Sequence, residues 1–182
     1  MKITSLLALL LSFTFVQAAW SLDVDVAQSR VLWAGHKIVG GHTGTIKVKS
    51  ASLNWDNDKL TGGKIVMDLN DISVDELPAD KQTRFLSHMK SADFFEVEKY
   101  PEASFEITEV TPETLKGKLN IKGKEILTEI PYKRTDNTVT GKFSFDRTQF
   151  GLVYNSSNFF KDLVADKVIK DNVDVSFEIH LK

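Results

Sequence analysis

Cysteine is absent from the 182 residues. A chain without it has no disulfide, no thiolate nucleophile and no thiolate metal ligand, so its fold must rest on packing alone. Proline is scarce, with four residues, and three Tyr stand against twelve Phe. Rings without a hydroxyl bury with no hydrogen bond to satisfy, which points to an aromatic interior. Neither sign of charge prevails: 23 Lys and Arg face 25 Asp and Glu, for a net −2. That mild acidity gives no electrostatic reason to expect nucleic-acid binding. Long apolar runs are also missing, except for one at the very start.

That run extends from Ile3 to Val16 behind Lys2 and ends at Val16-Gln17-Ala18. A charged start, an apolar centre and a small-residue end are the parts of a secretory signal. The run is shorter than the roughly 20 residues of a spanning helix, so an uncleaved anchor is the weaker alternative. The expected division is a leader over 1–18, cleaved after Ala18, and one mature domain over 19–182. Losing Lys2 leaves the mature chain one unit more negative than the formal −2. Such a short leader points to bacterial export, to the periplasm or the medium.

In the mature chain the apolar period is two. Val31 and Trp33, Ile46 and Val48, Ile65, Met67 and Leu69, and Phe105 and Ile107 alternate with more polar neighbours. So do Leu119 and Ile121, Ile126 and Ile130, Phe143 and Phe145, and Val173, Val175, Phe177 and Ile179. Alternation of this kind gives strands with one buried and one wet face. Asp56-Asn57-Asp58, Gly62-Gly63, Lys116-Gly117, Lys122-Gly123 and Asp136-Asn137 supply turn chemistry between them. About eight short antiparallel strands close most naturally into a barrel, which abolishes exposed edges. An open two-sheet sandwich is the alternative. Two stretches depart from the period: Pro78 to Ser91 reads as a helix with Phe85, Leu86 and Met89 on one face, and Ser157 to Leu163 as a second helical turn.

Chemical motifs are few. No two of the four His lie three to five residues apart, so a metal site is not expected, and neither is a bound cofactor. His36, His42 and His180 read as surface hydrogen-bonding groups and His88 as a helix-packing residue. Gly40-Gly41-His42-Thr43-Gly44 lacks the context of a phosphate loop and reads as a strand bend or bulge. Asp71, Asp75 and Glu76 are carboxylates of the kind that loops carry routinely. The aromatic residues are more informative. Trp33, Phe105, Phe143, Phe145 and Phe177 occupy the apolar phase of their strands and are the candidates to line an interior cavity. Phe85, Met89, Phe94 and Phe95 are the candidate lid, with Phe94 and Phe95 expected to point apart. An apolar tunnel under a helix suits a long hydrocarbon. A solid core fits the same alternation.

One stretch bears on that choice. Ser87-His88-Met89-Lys90-Ser91-Ala92-Asp93-Phe94-Phe95-Glu96-Val97-Glu98-Lys99-Tyr100-Pro101 resembles the H-L-K-S-x-D-F-F-D-V-x-x-Y-P motif of the YceI-like family. Ala103-Ser104-Phe105, then Gly117-Lys118-Leu119-Asn120-Ile121-Lys122-Gly123, Asp146-Arg147-Thr148-Gln149-Phe150-Gly151 and Asp166-Lys167-Val168-Ile169 continue the likeness in order. Asn120 stands where the family usually has Thr, and Lys124-Glu125 replaces its usual continuation. Asp146 and Arg147 read as a pair or turn cap. The resemblance implies a lipocalin-like, extended antiparallel β-barrel with an elongated cavity, one or two short helices, and periplasmic export. It also implies binding of a polyisoprenoid-type lipid, such as an isoprenoid quinone or prenyl phosphate, by a carrier or store rather than an enzyme. Transient contact with a membrane or membrane protein would accompany that role. An enzyme for a small hydrophobic substrate and a filled-barrel interaction module are the competing functions.

Overall fold

A computed structural model describes residues 20–164 and 167–182. The expected leader lies outside those residues, as does Asp166 of the last motif. The strands are β1 (Trp20–Lys37), β2 (Gly41–Asp56), β3 (Lys59–Ile72), β4 (Glu102–Val110), β5 (Thr114–Ile121), β6 (Lys124–Thr135), β7 (Thr138–Asp146) and β8 (Ile169–Leu181). Each pairs antiparallel with its sequence neighbour, and β8 returns to β1, so the sheet closes into an up-and-down barrel. All eight alternating segments are strands, and the open sandwich is excluded. The strands run beyond these alternating stretches, and at one end of the barrel Val24, Leu53, Trp55 and Leu60 continue the buried phase.

Two of the connections are hairpins set by residues that accept positive φ. Asn57 and Asp58 adopt φ of 45° and 64°, and Lys122 and Gly123 adopt 52° and 73°. This is the primed-turn geometry that matches strand twist. Asp136-Asn137 is also a turn. Gly62-Gly63 and Lys116-Gly117 are not turns: they lie inside β3 and β5. Glycine serves there for close approach. A methyl on Gly117 would collide with the Glu106 carbonyl and sit 2.9 Å from the Phe105 ring. The Gly40–Gly44 stretch divides likewise. Gly40 turns the β1–β2 hairpin at φ 75°, while Gly44 lets the Ser73 carbonyl pass where no side chain would fit.

Helix α1 (Ala79–Lys90) follows β3. Pro78 precedes its first turn and accepts from the Lys81 and Gln82 amides through its carbonyl, and Ser91 ends it. Asp80 in the first turn and His88 and Lys90 in the last complement the helix dipole. The second helical turn expected at Ser157–Leu163 is a run of hydrogen-bonded turns, with Phe160 N–H donating to the Ser156 carbonyl. A short 3-10 helix forms earlier, at Arg147–Phe150, capped by Asp146, whose Oδ1 accepts from the Thr148 amide at 2.8 Å.

Candidate ligand cavity

The barrel interior differs between its two ends. At one end Leu53, Trp55, Leu60, Ile107, Leu115, Ile130, Val139 and Ile179 are buried and fill the interior. Arg134 closes that end by laying its guanidinium 4.2 Å from the Trp55 ring centre. At the other end, where β1, β3, β5 and β7 finish and β2, β4, β6 and β8 begin, side chains leave a cavity of about 150 Å³. Val31, Trp33, Ile46, Leu69, Leu119, Phe143, Phe145 and Val175 of the strands line it, and α1 and the loop after it form the roof.

Of the five expected cavity residues, Trp33, Phe143 and Phe145 line this space, and Phe105 and Phe177 do not. Both of the latter face inward, but in the filled half. Phe105 lies over Gly117, and the Phe177 ring lies so close to Gly141 that a methyl there would come within 2.5 Å of it. Glycines on the adjoining strands make the room that these two rings occupy. All four expected lid residues line the cavity: Phe85, Met89, Phe94 and Phe95. Phe94 and Phe95 do not point apart as expected. They sit in a turn rather than a strand, where neighbours need not alternate, and their rings meet edge to face at 4.9 Å. Phe85 stacks parallel to Trp33 at 6.3 Å and also meets His42 at 4.7 Å, which joins the helix to the barrel wall.

Polar residues collect at the mouth. His36 Nε2 bonds Asp174 at 2.7 Å, and His42 Nδ1 bonds Glu76 at 2.6 Å. Burial alone would push the Glu76 carboxyl up, but hydrogen bonds from His42 and from Thr43 hold it below its ordinary value. Asp174 is held low by Ser144 and then His36. Arg147 is fully buried, and burial lowers its pKa. Its donors go to the carbonyls of Leu152, Ile169 and Lys170 and to Asp171 at 3.4 Å. It therefore ties the 3-10 helix to the start of β8 instead of pairing with Asp146. His88 packs against Phe94 and Tyr154, and its buried Nε2 has no hydrogen-bond partner among the described residues. His88, Arg147, Leu152 and Tyr154 line the cavity without having been expected there. Ile121 and Val173 lie in the inward phase of their strands and were findable by alternation. Leu152 and Tyr154 sit on an irregular loop, where no period marks the inside.

A closed antiparallel barrel, filled at one end and hollow beneath a helix at the other, is a lipocalin-like protein. The YceI-like domain family model matches residues 20–181, and the chain belongs to that family. The chain spans about half the length of the curated relatives it matches. A UPF0312 protein of Pseudomonas putida strain GB-1 is 33% identical over 107 residues, 57% of this chain and 52% of that protein. Among solved structures, Burkholderia cenocepacia BcnA superposes with a TM-score of 0.67 at 21% identity, covering 88% of this chain and all 100% of BcnA. A polyisoprenoid binding domain from Saccharophagus degradans gives 0.60 at 14% identity, over 91% of this chain and 99% of that one. At these identities the likeness establishes the fold.

Proposed function

We propose that this protein binds a long apolar lipid of isoprenoid type, a quinone or a prenyl phosphate, and acts as its carrier or store after export to the periplasm. The observation that carries the reading is the cavity: an interior walled by aliphatic and aromatic side chains that opens at a polar mouth. The description of the Saccharophagus degradans domain as polyisoprenoid-binding supports the same ligand class. A volume near 150 Å³ is about what holds one aromatic ring in an engineered apolar cavity. A long tail therefore enters by displacing flexible side chains such as Met67 and Met89, which line the space. Binding rather than catalysis fits the cavity, where His36 and His42 at the mouth and the buried Arg147 are already engaged by carboxylates and carbonyls.

Native mass spectrometry of the protein released from the periplasm of its own host tests this reading. The expected mass is that of a chain starting at Ala19 plus one bound lipid. A chain retained in the inner membrane with Met1 attached overturns export. Protein that arrives bare, and takes up neither added quinone nor prenyl phosphate, overturns the lipid reading.

A further inference from the structure

Among the described residues, the large apolar side chains that remain exposed are Val26, Leu32, Ile38, Val39, Leu127, Tyr154, Phe159, Phe160 and Val164. Isolated exposed apolar residues are ordinary; a group of them is not. Val26, Leu32 and Leu127 are scattered over β1 and β6. The other six belong to two segments at one end of the barrel, the β1–β2 tip and the loop between β7 and β8. Five of the six are well exposed, 55% and 76% at Ile38 and Val39, 57% and 47% at Phe159 and Phe160, and 58% at Val164, and Tyr154 is less so at 38%.

The backbone brings these segments together. Lys37 pairs with Ile169 across the β1–β8 ladder, which sets the hairpin tip beside the end of the loop. The Ile169 amide donates to the Asn155 carbonyl at 2.9 Å, closing the loop on itself. Lys37, Tyr154 and Ile169 also line the cavity. The two exposed segments thus run on from residues that line the cavity.

We propose that these segments form a bilayer-docking rim at the cavity mouth: Ile38 and Val39 on one side, with Tyr154, Phe159, Phe160 and Val164 on the other, enter the lipid surface and place the mouth against it. The proposal rests on the lipid-binding reading, because an isoprenoid tail crosses water at great cost and must pass directly between membrane and cavity. A tip and a loop that raise aromatic and branched side chains around an opening suit shallow insertion, with the tyrosine at the headgroup level. In the sequence of this loop Lys161 and Lys167 are balanced by Asp162 and Asp166, so insertion rests on the apolar side chains and not on charge.

The mature protein is floated with vesicles of phosphatidylethanolamine containing a minority of phosphatidylglycerol. The compared variants are Phe159→Asp/Phe160→Asp and Leu127→Asp, which places a charge on a still more exposed apolar residue of β6. Wild type and Leu127→Asp should float; the double variant should bind vesicles roughly tenfold or more weakly. Uptake of a fluorescent prenol from those vesicles should slow by a similar factor in the double variant. Uptake of the same prenol from cyclodextrin should be unchanged. Wild-type protein that does not float, or a double variant that draws prenol from vesicles as fast as wild type, overturns the docking surface. So does a wild-type dimer in sedimentation that the double variant dissolves, since a second copy would then cover the rim. Wild-type protein that floats but takes no prenol from cyclodextrin overturns the lipid reading instead.

Discussion

Phe143 and Ser144 show how much one position decides on a strand. Phe143 lines the cavity, and its neighbour is exposed on the outer wall. An aspartate at 143 would bury a carboxylate with no partner, so Phe143→Asp should lower prenol affinity by at least about a hundredfold while circular dichroism still reports a β-barrel. Fluorescence titration of labelled prenol measures this. Ser144→Asp is the obvious outward control, but Ser144 Oγ donates to Asp174, which already bonds His36 at 2.7 Å. A second carboxylate there would repel the first. Leu127→Asp, at 79% exposure, is the cleaner control and should bind prenol as wild type does.

At the scale of elements, the cavity end is held by a few polar ties between segments that share little ladder. Arg147 joins the 3-10 helix, the loop after it and β8 through several carbonyls. Lysine cannot reproduce that planar fork. Arg147→Lys should therefore cost roughly 3 kcal/mol in urea melts, the result of leaving more than one buried carbonyl unsatisfied. A cost within about 0.5 kcal/mol would assign the tie to the backbone instead. His42 and Glu76 form the corresponding latch between β2 and the segment leading into α1. The Glu76 carboxyl is depressed in the folded protein from an ordinary 4.5. Its contribution is thus complete above that value and is lost as pH falls through the lower folded one. The pair is partly exposed, so the contribution is below about 1 kcal/mol. Thermal melts from neutral pH into the acid range should show wild type losing slightly more stability than Glu76→Gln, whose profile lacks this component.

For the molecule as a whole, the division of the barrel into full and hollow halves sets a limit on the ligand. The filled half, with Phe105 and Phe177 braced against Gly117 and Gly141, forms a floor that a tail cannot pass without displacing packed rings. Affinity should rise with tail length by up to about 0.8 kcal/mol for each buried methylene-sized unit, reduced by the ordering costs of binding. It should then level off when the space above the floor is used. Titrating prenols of increasing length into delipidated protein checks this. An affinity indifferent to tail length would return the interior to a plain core and favour the filled-barrel module.

Apolar periodicity in the sequence by itself determined the strands, their inward phase and, where the period of two breaks, the helix between Pro78 and Ser91, and hence a barrel with an aromatic interior. It did so because side-chain direction on a strand is a local property: every second residue faces the same way wherever the strand lies. The same locality explains its failures. Gly62-Gly63 and Gly117 have the composition of turns, and only the approach of a neighbouring strand or ring shows that they lie within ladders. Phe105 and Phe143 carry the same inward phase, yet one fills the barrel and the other walls a void. What separates them is the neighbouring strand: Gly117 on β5 makes room for the Phe105 ring, while Val175 on β8 stands opposite Phe143. Phe94 and Phe95 point into one space because a turn, not a strand, presents them. The partners of Arg147, the unpartnered nitrogen of His88 and the gathering of Ile38, Val39, Phe159 and Phe160 around one opening all arise from chain closure. Tertiary structure alone decided those, because depth along a barrel and proximity across it are properties of the closed sheet and not of any single strand.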